Sequence, residues 1–181
     1  MLKKIVAIGP ESTGKSTLCR QLAQHFGGLH CREYAREYLL KTGTNYQFDT
    51  LLTIAKGQMA AENEHIRMYE AQQATTGLLF LDTNQYVMKV WCEYVFNDCH
   101  NWILKQIAAQ PYHLYLLCRP DLPWVQDELR EYPDEKPRQL LYHMYKDLLV
   151  YQNVPWVEVQ GNYEARFAVA KLAVENLLTQ A

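Results

Sequence analysis

At 181 residues, 49% of them hydrophobic and 21% charged, the chain has enough apolar material for one packed domain, and disorder is excluded. A formal net charge of −2 with no basic stripe excludes sequence-independent nucleic-acid binding. No apolar run approaches the length of a membrane span or a signal peptide, and the five cysteines are an odd number without a C-x-x-C pair, so a cytoplasmic protein with reduced thiols and no membrane partner is expected.

The first predicted element is a strand. Ile5, Val6, Ala7 and Ile8 form an unbroken apolar run, as a strand buried on both faces does. Residues 9–16 then read G-x-x-x-x-G-K-S, and Leu18, Leu22 and Phe26 follow at helical spacing. Strand, glycine-bounded loop and helix in this order are the context of a phosphate-binding P-loop. Backbone N–H groups of such a loop solvate a triphosphate, and the helix N-terminus adds its partial positive charge. Gly9, Glu11, Ser12, Thr13, Gly14, Lys15, Ser16 and Thr17 are therefore expected to hold a nucleotide. Lys15 is assigned to the β- and γ-phosphates, Ser16 to Mg²⁺, and Thr17 to the α-phosphate.

Residues 28–32 are a short, half-polar edge-strand candidate, and a helix follows from Glu33 until Gly43 ends it. Ligand-binding groups of a doubly wound sheet gather at the carboxyl ends of strands, which puts Glu33, Tyr34 and Arg36 on the substrate side. Residues 47–74 read as one long helix, or two joined near Gly57, with Glu62, Glu64, Arg67 and Glu70 on a solvated face. That helix is free to wall a cleft or to meet a second subunit.

The run 77–82 (GLLFLD) is a buried strand delivering Asp82 to the edge that carries the P-loop, where Mg²⁺ or its waters can use a carboxylate. Asp82 is equally placed to cap the next helix, which turns Val87, Val90, Trp91, Val95 and Phe96 inward. A short helix over 101–109 and a buried strand over 112–118 come next. Residues 119–138 are proline-punctuated, charged and aromatic, and read as a lid at about 120–138. Arg130 and Arg138 are its transition-state arginines, and Trp124 suits stacking on a flat or cationic heterocycle. A helix over 140–151, a strand over 154–159, a turn at Gly161 and a closing amphipathic helix complete the chain. The pattern predicts a three-layer α/β P-loop NTPase fold in one domain: a five-stranded parallel sheet with helices on both faces, and a lid.

Taken together, GPESTGKST, REYAREYL, LFLDTN, LCRPDLPWVQDELRE and QGNY resemble the ribosylnicotinamide kinase domain of NadR-type proteins, within the wider P-loop kinase and AAA-type ATP-binding group. The likeness runs over most of the chain. It implies an ATP- and Mg²⁺-dependent kinase that phosphorylates the 5′-hydroxyl of nicotinamide riboside in NAD salvage. It also implies that Glu33 or Asp82 takes the hydroxyl proton, that Trp124 and a tyrosine sandwich the pyridinium ring, and that Asp121 binds ribose hydroxyls. The chain departs from the family's D-T-D at Asp82-Thr83-Asn84, where Asn84 lacks the charge but is still expected to hydrogen-bond the substrate or complete an outer metal shell. NadR-type proteins also carry an adenylyltransferase domain, whose chemistry is not carried over to these 181 residues. The rival readings are a kinase for another nucleoside or small metabolite, and a regulatory ATPase with no metabolite acceptor. A GTPase is disfavoured by the lack of an N-K-x-D motif.

Overall fold

The computed structural model describes residues 1–72 and 76–179. In chain order the elements are β1 (Lys3–Ile8), α1 (Lys15–Phe26), β2 (Leu29–Cys31), α2 (Tyr34–Thr42), α3 (Phe48–Gln72), β3 (Leu78–Asp82), α4 (Gln85–Phe96), α5 (Asn101–Ala109), β4 (Leu114–Cys118), α6 (Glu135–Val150), β5 (Trp156–Val159) and α7 (Tyr163–Thr179). The strands form one parallel sheet in the order β2-β3-β1-β4-β5, as the alternation of strands and helices predicts. Successive side chains of a strand point to opposite faces, so β1 feeds two cores at once. Ile5 and Ala7 pack with Leu18 and Leu22 of α1 and Ala170 and Val174 of α7. Val6 and Ile8 pack with Val87 and Val90 of α4 and Leu141 and Tyr145 of α6. A third cluster, built from α2, α3, α4 and α5, lies beyond the second face.

The register fixes the site. Ala7 lies level with Asp82, and Leu81 lies level with both Val6 and Cys31. The P-loop, Asp82 and the residues after Cys31 therefore emerge along one edge, where parallel strands place their ligands.

Packing decides between the two readings of α3 and corrects three other local expectations. Helix α3 is continuous through Gly57, and the glycine serves its neighbour: a Cβ there would lie 2.0 Å from the Tyr34 ring. Residues 73–74 of that stretch lie outside the described residues. Glu62 does not face solvent but is 1% exposed, and its carboxylate accepts from Lys4 Nζ at 2.8 Å and from the Tyr112 hydroxyl at 3.0 Å. Val95 is exposed, not inward. Helix α6 begins at Glu135, five residues before the expected start, because Pro137 falls in its first turn, where the missing N–H has no helical acceptor to lose.

The Lys4–Glu62 pair also places Lys4 Nζ against Gln110 Oε1 at 3.2 Å and over the Tyr112 ring. Removing one partner of a buried pair strands the other charge. Glu62→Ala is expected to lower the unfolding free energy by about 3–5 kcal/mol, read as a fall in the urea midpoint. A loss below about 1 kcal/mol would mean that Lys4 finds water or another acceptor.

Candidate active site

The P-loop leaves β1 at Gly9, whose φ of 142° and position against β4 exclude a side chain: a Cβ would stand 2.5 Å from the Cys118 carbonyl oxygen. Gly14 caps α1, and two side chains close the loop on itself through one carbonyl. Thr13 Oγ1 and Lys15 Nζ donate to the Pro10 oxygen at 2.8 and 2.7 Å. Residues 9–17 all line a cavity of about 540 Å³.

Glu33 lines the same cavity. It is the N-cap of α2, but its carboxylate makes no capping bond and lines the cavity instead. Burial, reinforced by the nearby Asp82 charge and opposed by Lys15 and Arg36, pushes its carboxyl up to about 7. Asp82 is 2% exposed, and its Oδ1 has no hydrogen-bond partner among the described residues. Thr83 follows with φ 92°, an outlier for a β-branched residue, and its buried Oγ1 is also unpartnered among the described residues. Backbone strain and orphaned polar atoms gather at functional sites, and both coincide here.

Asn84 has another task. It caps α4, accepting from the Tyr86 N–H at 3.0 Å and donating to the Tyr115 hydroxyl at 3.2 Å. The cap expected of Asp82 thus belongs to Asn84. An acid there is not needed to satisfy these two partners.

The lid region divides in two. Residues 119–134 are irregular and contribute Pro123, Val125, Asp127, Leu129, Arg130, Glu131 and Tyr132 to the cavity. Arg36, half exposed, donates to Asp127 at 2.7 Å, and this bond raises the guanidinium pKa and lowers that of the carboxyl. Arg130 donates to the Val125 carbonyl. Arg138, by contrast, lies in α6 and is 7% exposed; its Nε and Nη1 have no partner among the described residues. It precedes the cavity-lining Leu141 and Tyr145 by three and seven residues, on the same helical stripe.

Three expected substrate contacts are engaged elsewhere. The Tyr34 ring packs over Gly57, and its N–H donates to Gln58 Oε1 at 2.7 Å. Trp124 donates its indole N–H to Glu11 at 2.9 Å. Asp121 pairs with Arg166 and accepts from the Gly161 N–H. None of the three lines the cavity. Its aromatic wall comes from Trp91 and Tyr94 of α4 with Tyr132 and Tyr145. The Tyr94 and Tyr132 rings meet edge to face at 5.5 Å. Trp91 Nε1 donates to the Tyr46 hydroxyl at 3.1 Å, and Tyr46 donates to Glu131 Oε2 at 2.9 Å. A signal for this wall was present: Val87, Trp91 and Tyr94 recur at i, i+4, i+7 directly after Asp82-Thr83-Asn84.

Arg166 carries no such local signal in the sequence. It is the largest fully buried side chain among the described residues. Its guanidinium donates to the carbonyls of Thr13 at 3.0 Å, Val159 at 3.3 Å, Arg119 at 3.0 Å and Gly161 at 2.7 Å, as well as to Asp121.

A glycine loop between strand and helix, an acid closing the neighbouring strand and five parallel strands in this order define a P-loop nucleotide-binding protein. The chain belongs to the AAA domain family AAA_28, whose pattern matches residues 4–166. It is 25% identical over 172 residues to the trifunctional NAD biosynthesis/regulator proteins NadR of Salmonella typhimurium and Escherichia coli; the match covers 92% of this chain and 40% of each relative. Among solved structures, it superposes on a NadR protein in complex with NR with TM-score 0.83 and 25% identity, covering 97% of this chain and 51% of that one. A NadR protein in complex with NAD and AMP-PNP gives TM-score 0.73 at 24% identity, covering 97% of this chain and 49% of that one. Deoxyadenosine kinase from M. mycoides with bound dATP shares the fold at TM-score 0.59 and 11% identity, over 96% of this chain and 99% of that one. The chain thus spans about half the length, or less, of the NadR proteins it matches.

Proposed function

We propose that the chain is an ATP-dependent kinase that transfers the γ-phosphoryl group to the 5′-hydroxyl of nicotinamide riboside, giving nicotinamide mononucleotide. The observation that carries this reading is geometric: Glu33 lines one cavity with Lys15, Ser16 and an aromatic wall. Burial and the Asp82 charge push the Glu33 carboxyl up to about 7. A base poised near neutrality is what deprotonation of a sugar hydroxyl requires.

The residues fit a bound Mg²⁺. Ser16 opens onto the cavity, and the orphaned Asp82 Oδ1 lies on the neighbouring strand end. Among the described residues no cluster of three His, Cys, Asp or Glu forms an all-protein metal cage. Mg²⁺ usually takes one or two protein oxygens and completes its shell with phosphates and water. When bound, it would neutralise charge on the β- and γ-phosphates.

Glu33 takes the 5′-hydroxyl proton as the O5′–Pγ bond forms, the bond from Pγ to the β,γ-bridging oxygen breaks, and ADP leaves. Lys15 and Arg130 offset charge on the moving phosphoryl group. Arg138, whose buried Nε and Nη1 have no partner among the described residues, does not itself line the cavity and has no part in this step. The test is ADP release with nicotinamide riboside and Mg-ATP, against Lys15→Ala. Turnover on the order of 1–100 s⁻¹, lost in the variant, is expected. Wild-type release no higher than that of Lys15→Ala would end the assignment.

A further inference from the structure

A carboxylate is a poor choice for a loop that cradles phosphates, because it repels the polyanion beside it. Glu11 occupies that loop, yet its carboxylate serves a different neighbour. Oε1 accepts from the Trp124 indole N–H at 2.9 Å and the Tyr132 backbone N–H at 2.8 Å, and Oε2 accepts from the Glu131 backbone N–H at 3.0 Å. The adjoining Ser12 Oγ accepts from the Val125 N–H at 3.2 Å. The segment held in this way carries much of the cavity's far side. Asp127 engages Arg36, the Glu131 side chain fixes Tyr46 and through it Trp91, and Tyr132 lines the cavity directly.

Building on the kinase reading above, we propose that Glu11 is a positioning residue that fastens the acceptor-side segment 124–132 to the donor loop. The wall around the acceptor depends on this side chain, whereas the grip on the donor's phosphates comes from backbone N–H groups and Lys15. The chemistry explains why an acid stands here. Three N–H donors converge on the carboxylate, and an ionised acceptor strengthens each bond. An amide would turn an NH₂ group toward one of them.

The experiment compares wild type, Glu11→Gln and Trp124→Phe by amide hydrogen exchange, AMP-PNP titration and steady-state kinetics with nicotinamide riboside. In Glu11→Gln, exchange across 124–132 is expected to quicken about tenfold or more, against a free-energy scale of 1.4 kcal/mol per tenfold. The acceptor KM rises by a similar factor, several-fold more than any rise in the AMP-PNP Kd. Trp124→Phe removes one donor of the three and moves both quantities the same way by less. Unchanged exchange in Glu11→Gln would overturn the proposal, as would a loss of AMP-PNP affinity equal to the loss for the acceptor. If wild type fails to turn over nicotinamide riboside, the kinase assignment falls, and the exchange arm still decides on Glu11. If Glu11→Gln unfolds, Trp124→Phe decides by the same two readouts.

Discussion

Glu33→Gln is expected to lower kcat/KM for the acceptor by about 10²–10⁴, the usual contribution of a positioned general base. A glutamine keeps the shape of the side chain and can no longer take a proton. The pH profile makes the test specific. Burial and the Asp82 charge push the Glu33 carboxyl up to about 7, so the side chain is protonated and inactive below that value. Wild-type kcat/KM should therefore rise with pH through about 7 and then level. Disappearance of this limb in Glu33→Gln assigns it to Glu33, and its survival there would remove Glu33 from the role of base. Stability runs the other way. Between 4.5, the ordinary value, and about 7, the unfolded chain has lost this proton and the native state still holds it. Unfolding free energy should thus fall as pH rises across that window, and Glu33→Gln should flatten the decline.

Arg166→Met should cost more stability than most single substitutions. Methionine fills the space but leaves the carbonyls of Thr13, Val159, Arg119 and Gly161 without their donor, and Asp121 without its counter-ion. Breaking a buried ionic network costs about 3–5 kcal/mol, a large part of the about 5–15 kcal/mol a typical domain has. Thr13 belongs to the P-loop, so nucleotide affinity should fall with stability. Lysine will not rescue it, since a single ammonium cannot replace a planar fork of five N–H donors. Urea unfolding and ATP titration check both parts. A loss under about 1 kcal/mol with unchanged ATP affinity would show that the P-loop holds its shape without this side chain.

The elements that could be read along the chain were those whose signal is local. The P-loop, the buried strands and the cap at Gly43 each depend on residues within a few positions of one another, and each stands where expected. What escaped depends on partners far apart in sequence. Glu62 has the composition of a solvated helix face and is buried because Lys4, 58 residues away, requires a counter-charge. Asp121 and Trp124 have the chemistry of substrate contacts, and both are engaged by protein groups more than 40 residues distant. Trp91 lies on the inward face of α4, as its spacing predicts, but periodicity cannot distinguish a core from a cavity wall. Arg166 sits among apolar neighbours on α7, with no local hint that four carbonyls converge on it.

The missing side chain at position 57 acts as a spacer for the chemistry. Because α3 presents bare backbone there, the phenol ring of Tyr34 settles flush against it, and Glu33 is the next residue along. A single methyl at that point, 2.0 Å from the ring, would force it back by about 1.4 Å to ordinary contact at 3.4 Å. The start of α2 would be levered toward the P-loop or away from it, altering the span a proton must cross. A change with no polar atom, on a helix that touches neither ATP nor acceptor in the proposed mechanism, would thus register as a slower chemical step.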